Sequence, residues 1–154
     1  MKMNFSTIAL FMLALALVRS AEAQDRKIAK KDLPNAVSAA FEKAYPKAVI
    51  RGTSTEREGG KTYYEIESMD GGTRRDLLYL IDGSCAEIEE TIDAGALPTA
   101  VKSAVETTYP KAKIEKAEKT TKESKVQYDL RIRKGKTRLS VSIDGNGAIL
   151  KPEK

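Results

Sequence analysis

Apolar residues recur along residues 33–44 at the spacing of one face of an α-helix. Asp32 is placed to cap this helix, and Pro34 suits its first turn, where a missing N–H costs nothing. Pro46 ends the helix, because the residue before a proline is pushed out of the α region. The apolar stripe consists of Leu33, Ala36, Val37, Ala40, Phe41 and Ala44.

Downstream of the helix, apolar and polar residues alternate as they do in β-strands. The clearest case is residues 125–133, whose inward positions are Val126, Tyr128, Leu130 and Ile132. Asp-Gly and Gly-Gly pairs mark the turns between strands. The predicted strands cover residues 48–57, 61–69, 73–82 and 85–92, then 112–121, 125–133, 137–144 and 147–151.

This helix-and-strand pattern occurs twice in the chain. Residues 33–50 return as residues 97–114 at an offset of 64. Beyond the first hairpin, matching the Asp-Gly pair at 82–83 with the one at 144–145 lowers the offset to 62. A duplicated unit of about 60 residues therefore builds most of the chain.

These elements predict an α+β fold of two tandem copies, residues 33–92 and 97–151. Each copy is one helix followed by a four-stranded antiparallel meander. Because each helix has one apolar stripe, the helices cover one face of the sheet and leave the other face open. A copy of this size buries little apolar surface alone, so the two sheets are expected to share a core or join edge to edge.

Residues 1–23 have the features of a signal peptide. Lys2 provides a basic start, residues 8–18 form an apolar run, and Ala21-Glu22-Ala23 is an A-x-A cleavage site. The run is shorter than the roughly 20 residues that a membrane span needs. We expect a periplasmic or secreted protein without a membrane span, cleaved near Ala23, with a short polar leader at residues 24–32.

The chain has no histidine and a single cysteine, Cys85. Without histidine, Ser-His-Asp and Cys-His catalysis and His-ligated zinc are excluded. Cys85 has no partner for an internal disulfide, so it either pairs between chains or stays a free thiol. We therefore expect no enzyme activity, no cofactor and no metal.

Two short motifs look like ligand sites but lack the context that such sites need. Gly60-Lys61-Thr62 resembles the end of a phosphate-binding loop, yet the glycine required five residues earlier is Thr55. Asp144-Gly145-Asn146-Gly147 resembles part of a calcium loop, yet its predicted flanking elements are strands and not the helices of an EF-hand. Both motifs are typical of hairpin turns.

The two copies carry opposite net charge. Residues 33–92 have 7 basic and 11 acidic side chains, whereas residues 93–154 have 14 basic and 8 acidic side chains. Such divergence indicates surfaces with different neighbours. The basic stretch 111–136 is interleaved with acidic residues, and few aromatic residues are available to stack bases, so we expect no nucleic acid.

The repeat resembles a known family. A Leu-Pro-x-Ala-Val…Tyr-Pro-x-Ala unit, then a Tyr-Tyr-Glu-Ile hairpin and a strand ending in Asp-Gly, is similar to the PepSY-like, β-lactamase-inhibitor-like domains of bacterial envelope proteins. The resemblance covers residues 33–151. It implies a non-catalytic module that binds an enzyme through its open sheet face, and an association with peptidase inhibition. The repeats here are shorter than in the secreted β-lactamase inhibitor and lack disulfides, so the resemblance implies the mode of binding and not the target.

The open sheet face is the predicted binding surface. Alternation places Leu78, Leu80 and Cys85 on it, together with the carboxylates Asp76, Glu87 and Glu89. The shifted alignment sets the two leucines against Ser140 and Ser142. Apolar side chains beside a tyrosine and carboxylates make a candidate contact patch. In the alternative interpretation, these leucines pack against the leader, the other copy or a second subunit. The predicted partner-binding residues are Tyr63, Glu65, Glu67, Leu78, Leu80, Arg131 and Arg133.

These expectations combine into one function and one alternative. The first is a non-catalytic module that binds an extracytoplasmic protein and inhibits or regulates an enzyme such as a peptidase. The alternative is a structural envelope protein whose basic second copy contacts an anionic polymer or lipid surface. The expected state is a monomer or a weak homodimer.

Overall fold

The computed structural model describes residues 26–153, with side chains described for residues 26–150, so the proposed signal peptide lies outside the described residues. Helices α1 and α2 cover Asn35–Ala44 and Thr99–Thr108, each preceded by a 3₁₀ turn, at Lys30–Asp32 and Ala94–Ala96. Strands β1 to β9 cover Arg26–Lys27, Val49–Glu58, Lys61–Asp70, Thr73–Tyr79, Cys85–Ile92, Lys113–Lys122, Lys125–Lys134, Thr137–Asp144 and Ile149–Glu153.

All nine strands form one antiparallel sheet in chain order, from β1 to β9. This confirms the predicted α+β fold, and of the two expected arrangements it selects edge-to-edge joining. The junction is the pairing of β5 with β6, in which Glu87 lies opposite Lys122 and Ile92 lies opposite Ala117. Because each residue of this ladder faces a partner in the other copy, the two meanders continue as a single surface.

The two copies keep separate hydrophobic cores under the same sheet. In the first, Val37 and Phe41 of α1 pack on Ile66, Leu77 and Tyr79. The second core repeats this arrangement under α2 and contains Leu97, Val101, Val105, Ala117, Tyr128, Leu130, Ile132, Val141 and Ile143. Both helices therefore cover the same face, and no helix of residues 26–153 lies on the opposite face.

Strand β5 contributes to both cores. Ile88 packs against the first core and Ile92 against the second. Between them, the Glu90 carboxylate is 3.2 Å from Nε of Arg75 and 3.6 Å from Nζ of Lys119. An ionic contact thus separates the two apolar clusters and links the last strands of one copy to the first strand of the next.

The structure corrects the offset between the copies. Glu65 pairs with Leu78, and Asp129 pairs with Ser142, so both members of the second pair lie 64 positions after the first. The turns agree, because the N–H of Gly83 donates to the carbonyl of residue 80 and that of Gly147 to residue 144. The drop to 62 is wrong, since it followed the recurrence of Asp-Gly and not the backbone. Leu78 corresponds to Ser142, and Leu80 corresponds to Asp144.

The start of α1 also differs from the prediction. Asp32 lies in the preceding 3₁₀ turn, and the residue at the N-cap is Pro34, whose side chain provides no hydrogen bond. Asp32, which the capping pattern places at the N-cap of α1, thus belongs to the 3₁₀ turn and not to the helix. The end is as expected, because α1 stops at Ala44, two residues before Pro46.

The leader forms a short strand, β1, that pairs with β2 in the same register in which β5 pairs with β6. Arg26 pairs with Thr55 and Lys27 pairs with Ser54. At the internal junction, the residues 64 positions later make the same pairs, Glu90 with Lys119 and Thr91 with Glu118. The 3₁₀ turns that follow are also 64 residues apart. Strand β1 therefore takes the place that β5 has against β6 and covers part of the edge of β2.

Two glycines allow the first turn of each helix to approach a hairpin. Gly83 has φ +85°, and a Cβ atom there would lie 2.6 Å from the carbonyl oxygen of Ala36. Gly147 has φ +91°, and a Cβ atom would lie 2.7 Å from the carbonyl oxygen of Ala100. Since backbone atoms cannot move aside as flexible side chains can, these positions require glycine in both conformation and space.

We predict that Gly83→Ala and Gly147→Ala each lower the free energy of unfolding by at least about 2 kcal/mol, measured by urea denaturation. Gly71→Ala is the control, because Gly71 has φ +55° but no atom within 4 Å of its Cβ position. It should lose only the conformational term of about 1 kcal/mol. Equal losses at all three positions would show that the close approach of these glycines to Ala36 and Ala100 contributes nothing to the loss of stability.

The helix-free sheet face as candidate functional site

The face without helices is called the open face below. Ile66 and Leu130 are buried on the helix side of β3 and β7, so their neighbours in sequence point to the opposite side. The open face therefore contains Glu65 and Glu67 in the first copy and Arg131 in the second. Its middle strands are β5 and β6, where the two copies meet.

The predicted site residues fall into two groups on this face. Tyr63, Glu65 and Glu67 lie on β3, Leu78 lies on β4, and Leu80 lies in the turn just after it. Arg131 and Arg133 lie on β7. Strands β5 and β6 separate the groups, so the sheet does not bring them together into one pocket. Their role in partner binding stays a prediction.

Both leucines of the predicted patch are half-buried. Leu78 lies between Glu65 on one neighbouring strand and Glu87 on the other. The backbone of Leu80 closes the turn, because its N–H donates to the carbonyl of Ser84 at 2.9 Å. Leu78 therefore offers a narrow apolar strip bordered by carboxylates.

Cys85 does not lie on the open face. A register shift in the β4–β5 ladder sets it opposite Tyr79, a residue of the first hydrophobic core, whereas Glu87 lies opposite Leu78. Paired residues of an antiparallel ladder share a face, so the bulge moves Cys85 to the helix side. Desolvation raises the pKa of its thiol, which is the opposite of the activation that a reactive cysteine shows.

Three carboxyl groups meet at the centre of the open face. Burial raises the pKa of Asp76, although the Arg74 guanidinium lies 2.8 Å from its Oδ2. Its other oxygen, Oδ1, is buried and has no hydrogen-bond partner among the described residues. Burial and the hydrogen-bonded carboxyl of Glu118 raise the pKa of Glu89 to about 7, with Asp76 adding to the effect. The centre thus contains partly desolvated acidic groups, of which Glu89 keeps its proton to near neutral pH.

Asp129 lies beside this centre in a different environment. It accepts hydrogen bonds from Nε2 of Gln127 at 2.9 Å, Oγ of Ser142 at 2.5 Å and Oγ1 of Thr120 at 3.3 Å. These donors satisfy the carboxylate within the sheet. Asp129 is therefore part of the surface framework, whereas Oδ1 of Asp76 in the acidic centre has no hydrogen-bond partner among the described residues.

The second copy supplies the positive charge of the face. Arg133 and Arg138 both donate through Nε to the carboxylate of Glu115, at 2.5 Å and 2.8 Å. Arg131 is exposed and forms no ion pair with any residue whose side chain is described. It lies between Lys116 and Ser140 on the neighbouring strands. Of the three arginines Arg131, Arg133 and Arg138, Arg131 is therefore the one that remains available to a ligand.

Among the residues that the structure describes, no group of His, Cys, Asp and Glu is arranged to hold a metal ion. The Asp144-Gly145-Asn146-Gly147 segment is a hairpin turn, in which Oδ1 of Asp144 accepts the N–H groups of Asn146 and Ala148 at 2.9 Å. Within the same part of the chain, no helix is long and apolar enough to cross a membrane.

One family model matches nearly the whole described chain. It is described as "Putative beta-lactamase-inhibitor-like, PepSY-like", and it matches twice, over residues 19–83 and 62–151. The chain belongs to this PepSY-like family. The double match agrees with the internal repeat and with the resemblance inferred from the residues. No curated protein matches the sequence.

Solved structures show the same fold at low identity. A BLIP-like protein from Bacteroides fragilis has a TM-score of 0.57 and 18% identity, covering 77% of this chain and 83% of its own. A Bacteroides eggerthii protein described as "putative periplasmic" has a TM-score of 0.63 and 16% identity, covering 78% and 87%. A DUF2874 family protein from Bacteroides uniformis has a TM-score of 0.61 and 16% identity, covering 78% and 88%. At these identities the similarity shows the fold alone.

Sequence reasoning missed the acidic centre of this PepSY-like protein. Asp76 and Glu89 were assigned to the open face, but Glu118 was not, because it belongs to the first strand of the second copy. Only the β5–β6 pairing brings Glu89 and Glu118 together. The alternation of β5 predicts Glu89 on the open face, but alternation from Ile114 would put Glu118 on the helix side, and only the register shift between Ile114 and Lys116 moves it to the open face.

We predict that Glu89→Gln makes the protein more stable above pH 7 and flattens its stability between pH 4.5 and 7. The folded protein retains a proton on Glu89 up to about pH 7, whereas the unfolded chain releases it near pH 4.5. Stability therefore falls as the pH rises through this window. After solvent screening the gain is on the order of 1 kcal/mol.

The measurement is the urea midpoint at several pH values from 4.5 to 8. Glu106→Gln is the matched control, because Glu106 is exposed on the far side of the molecule in α2 and carries the same charge change. If Glu89→Gln and Glu106→Gln have the same pH profile as the wild type, Glu89 does not hold this proton.

Proposed function

We propose that this PepSY-like protein is a non-catalytic, extracytoplasmic binding module that recognises another protein through the open face. The supporting observation is a continuous sheet surface on which Glu67 and Arg131 form no ion pair with another residue whose side chain is described, while the charges around them are paired within the sheet. In this proposal the partner is an extracytoplasmic enzyme such as a peptidase, which the module inhibits or regulates. The family description and the B. fragilis BLIP-like neighbour support this class of partner.

The two edges of the sheet are poor alternatives to the face. Strand β1 covers part of the outer edge of β2, and Ile28 extends this cover by donating its N–H to the carbonyl of Thr53 at 3.0 Å. At the other edge, β9 contains Pro152, which has no N–H to offer to an added strand. Such features discourage pairing with further strands. A partner is then left with the helix side or the open face.

The open face also fits protein binding better than catalysis. The polar groups of the open face spread across several strands. Arg131 lies beside Lys116 and Ser140 on the neighbouring strands, on a shallow part of the surface. General acid–base catalysis needs a titratable group within reach of a shielded substrate. Glu89 has a perturbed pKa, but the surface around it is one side of a sheet and not a closed pocket.

An extracytoplasmic location is part of the proposal. The A-x-A site at Ala21-Glu22-Ala23 supports it, and so does the description of the B. eggerthii neighbour as "putative periplasmic". The test is the mass of the protein purified from the envelope fraction of its source organism. We predict a chain that begins at Gln24, whereas a full-length chain in the cytoplasmic fraction would contradict the location.

We predict that immobilised residues 24–154 retain one specific protein from an envelope extract, identified by mass spectrometry. Leu78→Ser and Glu67→Lys should each weaken this binding at least about tenfold, or about 1.4 kcal/mol. Leu78→Ser introduces the residue found at the equivalent position 142, so it is compatible with the local backbone. Glu42→Lys on α1 is the control for Glu67→Lys, because Glu42 is exposed on the helix side. Equal binding by all variants would contradict the open-face site.

The alternative function, contact with an anionic envelope polymer or lipid, has its own supporting observation. Many cations of the second copy are exposed: Lys111, Lys113, Lys125, Arg131, Arg133, Lys134, Lys136 and Arg138. This alternative predicts that Arg131→Glu with Arg133→Glu releases the protein from anionic vesicles or polymer in a co-sedimentation assay, while Leu78→Ser has no effect. Retention of the double variant at low salt would contradict it.

A further inference from the structure

Three hydrogen-bond donors lie side by side on the open face of the second copy. Arg131 on β7 lies directly opposite Lys116 on β6 and directly opposite Ser140 on β8. Arg131 and Ser140 are exposed, and Lys116 is half-buried. Two shallow depressions of the surface meet here, and all three residues line both of them. These residues, called the Arg131 row below, thus form a concave set of donors that a ligand can reach.

The Arg131 row contains a like-charge pair, because Lys116 and Arg131 are direct partners in the ladder. Like charges directly opposite each other destabilise a sheet. Lys116 forms an ion pair with Glu118, whereas Arg131 forms none with another residue whose side chain is described. Asp129, two positions away on β7, takes its hydrogen bonds from uncharged side chains. The sheet thus keeps an unfavourable pair, and such local exceptions are typical of functional sites.

The next row along β7 shows what such donors bind. Arg133 and Arg138 both donate through Nε to the carboxylate of Glu115, at 2.5 Å and 2.8 Å. The hydrogen bonds from Arg138 and Arg133 hold the pKa of Glu115 below its ordinary value. The Arg131 row offers comparable donors but receives no such carboxylate from the described residues.

In the first copy, the equivalent row has a carboxylate of the chain at its centre. The residues 64 positions earlier are Gly52, Glu67 and Asp76, which pair in the same order. The Glu67 carboxylate lies over Gly52, where an added Cβ atom would be 3.2 Å from Cδ of Glu67. The second copy has Lys116 in place of the glycine and Arg131 in place of the glutamate. Divergence has therefore turned an acceptor row into a donor row.

We propose that the Arg131 row binds the carboxylate of an aspartate or glutamate side chain of the partner protein. The Arg131 guanidinium donates to both carboxylate oxygens, Ser140 adds a hydroxyl donor, and Lys116 adds positive charge. The Glu115 contacts in the next row favour a carboxylate over a phosphate as the ligand. The inference rests on the proposed function and names the chemical group that the partner contributes.

The test is an NMR titration of isotopically labelled residues 24–154 with the peptide acetyl-Gly-Glu-Gly-amide at constant ionic strength. We expect saturable shifts of the backbone amides of Lys116, Arg131 and Ser140, with a dissociation constant on the order of 10 mM, because a single charge-assisted contact binds weakly. The matched peptide acetyl-Gly-Gln-Gly-amide lacks only the carboxylate and should cause no saturable shift. Dimethyl phosphate represents the phosphate groups of lipids and polymers, and it should bind more weakly than the glutamate peptide.

Three variants show whether Arg131 provides the binding. Arg131→Gln should weaken binding of the glutamate peptide at least about tenfold. Arg57→Gln is the control, because Arg57 is exposed on β2 and undergoes the same charge change, and its binding should equal that of the wild type. Ser140→Asp introduces the residue of the first copy, and it should also weaken binding because its own carboxylate then lies beside Arg131. Circular dichroism confirms that all three variants are folded.

The inference is overturned if the glutamate and glutamine peptides bind equally, or if Arg131→Gln binds the glutamate peptide as the wild type does. Tighter binding of dimethyl phosphate than of the glutamate peptide would also overturn it, in favour of a polymer or lipid ligand. A protein retained from the envelope extract should bind Arg131→Gln more weakly than Arg57→Gln, and equal retention would contradict the inference. The proposed function fails separately, through equal retention by Leu78→Ser and Glu67→Lys, because the peptide titration requires no partner protein.

Discussion

The pairing of β5 with β6 is the interaction on which the rest of this structure depends. It joins two units of about 60 residues, each of which has a core too small to be robust alone. Along β5, Ile88 belongs to the first core and Ile92 to the second, and Glu90 between them contacts Arg75 and Lys119. Without this ladder, both strands would be exposed edges with unpaired backbone groups. One strand thus supplies packing, ionic contact and backbone hydrogen bonding to two repeats.

The continuity of the sheet gives the open face its character. Because both described helices lie on the other side, the strands present a broad, polar surface that no other element of residues 26–153 covers. The junction sets the acidic centre, since it brings Glu118 of one copy beside Glu89 of the other, where its carboxyl helps to raise the pKa of Glu89. Divergence of the copies then sets the opposite charges at Glu67 and Arg131. The proposed binding function rests on these differences, because the parts that the copies share are used for the fold.

Much of the fold could be predicted from the sequence because it follows simple periodicities. The helices and the long strands appear within a few residues of their predicted bounds, since alternation and the two Tyr-Pro stops are local signals. The predictions failed where the strand pairing does not follow the residues that recur in the two copies. Asp-Gly recurs at an offset of 62, yet the turns it suggests are set by Gly83 and Gly147, 64 residues apart. The bulge at Cys85 likewise moves its side chain from the open face to the helix side, although the alternating pattern in the sequence gives no sign of a bulge.

The candidate site was less predictable, because it depends on pairing between distant segments. Glu89 and Glu118 become neighbours only after two repeats have joined, and the register of that joint is not encoded in either strand alone. The strand residues chosen from alternation lie on the predicted face with the exception of Cys85, and Leu80 lies in the turn beyond β4. Alternation gives no information on which charges find internal partners. Arg133 is bound to Glu115 and Arg131 is not, although the two residues look equivalent in the sequence.

Native-state hydrogen exchange tests the central claim, that β5–β6 pairing makes the two repeats one cooperative unit. The account predicts that amides of β5 and β6 exchange only through global unfolding. Their free energy and urea dependence should then match those of the core strands in both copies. The contrary result would be two separate sets of values, one for β2–β4 and one for β7–β9, with β5 and β6 exchanging through a local opening of low urea dependence. That outcome would mean two independent modules that touch at an edge, and the continuous open face would no longer be a single surface.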